Sequence, residues 1–438
     1  MIDQVSPARR RTILAALRRG TVPDSGLDLL AVGLDRLAPA FDAELAACRA
    51  GAAAFTAIRG EYGAGKTFAS RWLGERAKTT GMAVAEVQIS ETETPLHRLE
   101  TVYRRLCERL STAANPPSAF RPVLDSWFYA LEEDVLADGA VSPNDADRLG
   151  RAVEALLERR LAALTRTTPG YAAGLRGYRR ALAEGDIDTA DGVAAWLAGQ
   201  PHVAVSARRR AGVRGDIDHF LALGFLQGLL TVLREAGHTG LVLVLDEVET
   251  LQRVRSDARG KALNALRQLL DEIDAGRFPG LYLVITGTPT FFEGRQGIAL
   301  LLPPLAQRLH TDFSTDPRFD NPRAPQVRLL GFDHERLVEL GARVRDLFVA
   351  GSSSPERVRT VVDDAYLAVL AGAVVGSLGG KVGVAPRLFL RKLVGDVLDR
   401  VEQFGDFDPR RDYALTVSEG ELTDVERQAA AGPDDIEL

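Results

Sequence analysis

The residues best equipped for chemistry lie in GEYGAGKT, residues 60–67, which fits the spacing Gly-x-x-x-x-Gly-Lys-Thr. An apolar strand-like run precedes it and a helix-like run follows. A polyphosphate carries several negative charges. Backbone N–H groups at a helix start can cradle them, and glycines let the chain curl without a Cβ in the way. Lysine is scarce in this chain, five residues against 49 arginines, and one of the five closes this loop. The spacing therefore predicts that Gly60, Glu61, Tyr62, Gly63, Ala64, Gly65, Lys66, Thr67 and Phe68 hold the phosphates of ATP. Lys66 would reach the β and γ phosphates, and the Thr67 hydroxyl would help hold Mg2+.

A second constellation is LVLVLDEVE, residues 241–249, where a hydrophobic strand ends in an acid pair. Asp246 is the expected second magnesium residue and Glu247 the expected base that deprotonates attacking water. Glu249 is read as a solvated acid at a helix start. The next strand ends in ITGTP; Thr286 is the choice for sensing the γ-phosphate and positioning water, with Thr288 in reserve. Arg308, in LLPPLAQRL, is placed to act as a finger on a neighbouring subunit's nucleotide. Arg387, in GVAPRLFLRKLV, is placed to fold over the phosphates from a helical lid. For both arginines a surface or salt-bridged role stays open.

Five short apolar runs must position these groups: residues 52–60, 82–90, 241–249, 281–289 and 324–330. Each reads as a strand buried on both faces, and helical sequence separates them, so the expected sheet is parallel and five-stranded. The expected organisation is an N-terminal helical segment over 1–50, with 31–37 opening a second helix, and an α/β nucleotide-binding core over 51–114 and 237–331. A helical insertion fills 115–236, with a helix start at SPNDADRL where Ser142 can cap, Pro143 suits the first turn and Asp145 suits the positive end. A helical lid over 332–405 and a loosely held polar tail over 406–438 complete the chain.

The composition narrows the rest. In 438 residues, 46% are hydrophobic and 26% charged, and the net charge of -6 argues against attachment to DNA or anionic lipid by bulk electrostatics. The run Arg208, Arg209, Arg210 and Arg214 reads as a solvated face of the insertion. Cys48 and Cys107 have neither metal-ligand nor redox-pair spacing, and the six histidines are scattered, so a reducing, cytoplasmic setting is expected. No run reaches the ~18 apolar residues that a spanning helix needs, so no membrane is expected as a partner. There is no Asn-Lys pair of the kind a GTPase uses to read guanine, and the acid pair continues as Val248-Glu249 rather than in the helicase pattern. The AAA+ arrangement remains: a P-loop NTPase of the additional-strand (ASCE) group with a helical lid.

A resemblance extends this reading. RGEYGAGKTF, AEVQISETETPLHRLETVYRRL, LREAGHTGLVLVLDEVETL, LRQLLDEIDAG with FPGLYLVITGTPTFFEG, PPLAQRL and APRLFLRKLV run over most of residues 30–400. Together they resemble the P-loop ATP-binding proteins of bacteriophage exclusion (BREX) and phage growth limitation systems, related to AAA+ ATPases of the origin-recognition and STAND kinds. The resemblance implies an ATPase that acts as a conformational switch or motor in anti-phage defence. Its implied partners are other defence-system proteins, a helicase among them, with DNA and a second copy of the chain left open. Two other readings stay open: a scaffold that holds ATP without hydrolysing it, and an initiator-like DNA-binding ATPase.

Overall fold

The computed structural model describes residues 5–139, 141–142, 144–378, 386–422 and 427. The chain starts with α1 (Pro7–Arg19) and α2 (Ala38–Arg49), then β1 (Ala54–Arg59), α3 (Lys66–Thr79), β2 (Ala83–Gln88) and α4 (Leu99–Arg109). Six helices follow without a strand among the described residues: α5 (Phe120–Ala137), α6 (Ala146–Thr167), α7 (Pro169–Glu184), α8 (Ile187–Leu197), α9 (Val205–Ala211) and α10 (His219–Glu235). The path returns through β3 (Leu241–Asp246), α11 (Ser256–Asp274), β4 (Leu281–Gly287), α12 (Pro289–Glu293), α13 (Ile298–Leu301), α14 (Pro303–Arg308) and β5 (Gln326–Arg328). It continues in α15 (His334–Val349), α16 (Pro355–Val361), α17 (Asp364–Ser377) and α18 (Pro386–Arg391), which runs on as a π-helix over Lys392–Leu398, and then in α19 (Asp399–Gln403) and α20 (Pro409–Asp412).

The five strands form one parallel sheet in the order β2-β3-β4-β1-β5. The expected five-stranded parallel sheet is therefore present. Every residue of β3 and β4 is buried, because both faces are covered and side chains alternate between them. Leu241, Leu243 and Leu245 enter one core cluster, and Val242 and Val244 enter the other. The first cluster also contains Trp127, Tyr171, Tyr178 and Phe225 from the six-helix stretch. Those helices thus share a core with one face of the sheet. The opposite face is covered by Phe41 and Leu45 of α2 and Trp72 and Leu73 of α3.

The N-terminal segment divides between two partners. Ile13, Leu14 and Leu17 of α1 pack with Leu337, Leu340, Leu367 and Phe389 of the C-terminal helices, and Arg18 makes a two-pronged ion pair with Asp399. Between α1 and α2, residues 31–37 are not the helix start the sequence suggested. Gly33 has φ +75°, a left-handed conformation that interrupts a helix. The helix begins at Ala38, with proline in its first turn. At the start of α6 the cap is Asp145, whose side chain accepts from the Arg148 N–H. Ser142 instead accepts from Asn144, and Pro143 lies outside the described residues.

The tail also departs from expectation. Phe407, Tyr413, Leu415, Val417 and Leu422 pack against the C-terminal helical cluster. Glu421 is gripped by the buried Lys392 at 2.8 and 3.1 Å. Apolar residues spaced among polar ones hold this segment down; residues 423–426 and 428–438 lie outside the described set.

Candidate functional site

β1 ends against β4, with the Gly60 N–H donating to the Gly287 carbonyl at 3.1 Å. The chain then curls back to start α3 at Lys66. Gly63 and Gly65 make that curl at φ +80° and +87°, where a side chain would be strained. Loop residues Tyr62–Gly65 and the start of α3 line one cavity, and a helix start suits an anion.

Lys66 is buried in this loop. Its Nζ donates to the carbonyls of Gly60 (3.0 Å) and Glu61 (3.3 Å) and lies 5.1 Å from the centre of the Tyr62 ring. The Thr67 hydroxyl donates to Asp246 Oδ2 at 2.9 Å, so the loop and the end of β3 meet through the two residues expected to hold magnesium. One hydroxyl and one carboxylate oxygen form a hard-oxygen pair of the type Mg2+ accepts alongside phosphate oxygens.

Thr286 completes this arrangement from below. It is fully buried; its hydroxyl donates to Asp246 Oδ1 and accepts from the Glu247 N–H at 3.1 Å. The sequence singled out this residue for contact with the γ-phosphate. In the structure its hydroxyl is engaged with the acid pair, and Thr286 is absent from the cavity lining. Thr288, the reserve, pairs with Thr290 at 2.8 Å and closes the turn into α12.

Glu247 sits at φ +59°, ψ 44°, a left-handed conformation uncommon for a residue with a Cβ and found at functional turns. Its Oε2 accepts from Gln88 Nε2 at 2.9 Å. The register explains the meeting: Gln88, last in β2, lies opposite Asp246, last in β3. Glu249, expected in solvent, is 4% exposed. Its carboxylate lines the cavity 3.7 Å from Lys66 Nζ, and neither oxygen receives a hydrogen bond from any other described residue. Burial pushes its carboxyl above the usual range, opposed by the Lys66 ammonium. The short helical turn Val248–Gln252 directs Glu249 inward.

The cavity has a volume of about 360 Å³. Loop residues 62–68, Glu247 and Glu249 form one wall. Leu17, Val22, Leu30 and Leu34 from the N-terminal segment and Leu340 and Leu390 from the C-terminal helices add apolar lining. Arg36, Arg328, Arg336 and Arg387 supply positive charge around it. Arg328 is held by two bonds to Asp320, and Arg387 donates to the Glu421 carbonyl. Phe68, next to the loop, packs against both the sheet-side and the C-terminal helical clusters.

Arg308 is elsewhere. It is bound to Asp271, Asp274 and the Leu270 carbonyl of α11 and lines a separate cavity beside residues 53–56, at the opposite end of β1 from the glycine loop. In the arginine run, Arg208 pairs with Asp216 and Arg210 with Asp186. Among the described residues no helix is long and apolar enough to cross a membrane.

Sequence reasoning missed Gln88, Glu249 and the 31–37 segment. Gln88 lacked a motif and needed the strand register. Glu249 carried a signal, since a residue two positions past a buried strand can turn back inward. The glycine at position 33 was the mark of an irregular segment at the cavity.

A parallel sheet with a glycine loop and helix start at the carboxyl ends of its strands defines an α/β protein of the kind that holds ligands at that edge. The family model described as BREX system ATP-binding protein BrxC/D matches residues 5–417. The chain belongs to that family, which gives it an ATP-binding role in BREX defence. No curated protein and no solved structure matches the chain.

Proposed function

We propose that the chain is a P-loop ATPase of AAA+ type that binds Mg-ATP in the 360 Å³ cavity and uses its hydrolysis to move the C-terminal helices relative to the sheet. One observation carries this reading: the Thr67 hydroxyl and the Asp246 carboxylate, 179 residues apart, meet at 2.9 Å beside the glycine loop. In this reading the sheet region over 51–114 and 237–331 is the nucleotide core, 115–236 an insertion, and 332–405 a lid reaching the cavity through Arg336 and Arg387.

The loop N–H groups and Lys66 bind the phosphates, and the apolar lining takes the base. Thr67 and Asp246 would hold the magnesium ion, which supplies positive charge to the phosphate oxygens. Thr286 fixes the Asp246 carboxylate and the Glu247 backbone. Glu247 accepts the proton of attacking water once its carboxylate leaves Gln88. That bond gives turnover a point of control, for which another BREX protein or DNA would be the trigger. A neighbouring copy of the chain would be needed for Arg308 to act as a finger, after it leaves Asp271 and Asp274. The cytoplasm is the setting we propose.

Phosphate release by the purified chain, alone and with DNA, tests this. Glu247→Gln is expected to retain ATP and slow turnover by about 10²–10⁴-fold, the usual effect of losing a general base. Turnover by this variant at the parent rate would remove the assignment.

A further inference from the structure

Glu249 is a charged side chain buried in a cavity that a polyphosphate would enter. It lies 3.7 Å from the loop lysine, is 4% exposed, and receives no hydrogen bond from any other described residue. A carboxylate buried in this way is costly unless something else requires it. Its neighbours explain the cost only in part. Lys66 from α3 is its counter-ion, while Asp246 at the end of β3 and Glu247 just before its turn add negative charge. Tyr62 covers the lysine from the loop side. Glu249 occupies an anion's position on Lys66 in this structure.

We propose that Glu249 is a specificity-determining residue that competes with nucleotide phosphate for Lys66 and penalises a triphosphate more than a diphosphate. This rests on the ATP reading above. Entry of a phosphate requires Lys66 to leave Glu249, and the carboxylate then faces the incoming negative charge at short range in a poorly screened site. The third phosphate adds to that repulsion. Glu249 therefore weakens ATP relative to ADP and keeps the affinity for the triphosphate below what the loop alone would give.

The test is equilibrium titration of the full chain with fluorescent ATP and ADP analogues in magnesium. Glu249→Gln is expected to bind the ATP analogue at least about tenfold more tightly, with a smaller gain for the ADP analogue, as removal of a nearby buried like charge requires. Glu249→Met, uncharged and of similar volume, should shift both in the same direction. Glu249→Asp, which keeps the charge, should retain the parent ratio of the two affinities. A merely structural role would not move that ratio. Glu249→Gln and Glu249→Met affinities within twofold of the parent, or weaker, would overturn the role of Glu249 alone. A parent chain that binds neither analogue would overturn the ATP reading and this inference with it.

Discussion

Replacing Thr286 by valine keeps the branched shape and deletes one hydroxyl. That hydroxyl is fully buried and joins two groups: it donates to Asp246 and accepts from the Glu247 N–H. The first bond is to a charged group, worth about 1.5–3 kcal/mol, and the second leaves a backbone N–H unpaired at about 1–3 kcal/mol. Asp246 keeps its bond from Thr67, and the added methyl recovers part of the loss, so about 3 kcal/mol is the expected net destabilisation. In a chain of 438 residues that corresponds to a fall of roughly 3 °C in melting temperature. Differential scanning calorimetry of parent, Thr286→Val and Thr286→Ser would read it, with the serine variant close to the parent. Since Thr286 also holds the acid pair in place, Thr286→Val should weaken magnesium-dependent ATP binding. A valine variant that melts within about 1 °C of the parent would refute the positioning argument. Unchanged stability with lost turnover would instead return Thr286 to the γ-phosphate contact suggested by its place at the strand end.

Chelating magnesium should weaken ATP binding by the parent markedly and that by Asp246→Asn only slightly, as isothermal titration can show, because the substitution already removes one oxygen ligand. Cys48 and Cys107 are both buried, and burial pushes the Cys48 thiol up to about 12 and Cys107 higher still. Neither should react with iodoacetamide at pH 8 in the folded chain, and both should react in denaturant; fast native labelling would contradict the packing. Lys392→Met should free Glu421 and the segment it anchors, seen as faster proteolytic cleavage within 405–422, whereas parent-like resistance would show that the apolar contacts alone hold it. Arg308→Ala should lower stability by about 1 kcal/mol or less, because its partners are largely solvated. If Arg308 serves a neighbouring subunit, the parent's specific activity should rise with protein concentration and that of the variant should not.

The sheet was legible because its signals are local. LVLVL (residues 241–245) and LYLVI (residues 281–285) carry no charged residue and only one polar atom, the Tyr282 hydroxyl, and a strand covered on both faces explains such runs between helices. The glycine loop was legible for the same reason, since Gly60, Gly65, Lys66 and Thr67 lie within eight residues. Less legible were the contacts set by register and by chain reversal. Gln88 meets Glu247 because β2 lies next to β3, a neighbour relation no local pattern encodes. Glu249 looks like any acid beyond a strand until the turn at Val248–Gln252 directs it inward. The 31–37 segment contains apolar residues at helical spacing, yet Gly33 and the proline after Leu37–Ala38 make it an irregular wall of the cavity. The tail seemed loose because its apolar residues are sparse, and their partners lie on helices that precede it in the chain.

The central claim is that Lys66 and the loop amides grip the phosphates of ATP, and calorimetric titration with a non-hydrolysable ATP analogue in magnesium tests it most directly. The parent should bind, and Lys66→Ala should bind at least about a hundredfold more weakly, as loss of a buried charge-assisted contact implies. Equal affinity of the two proteins for the analogue would contradict it.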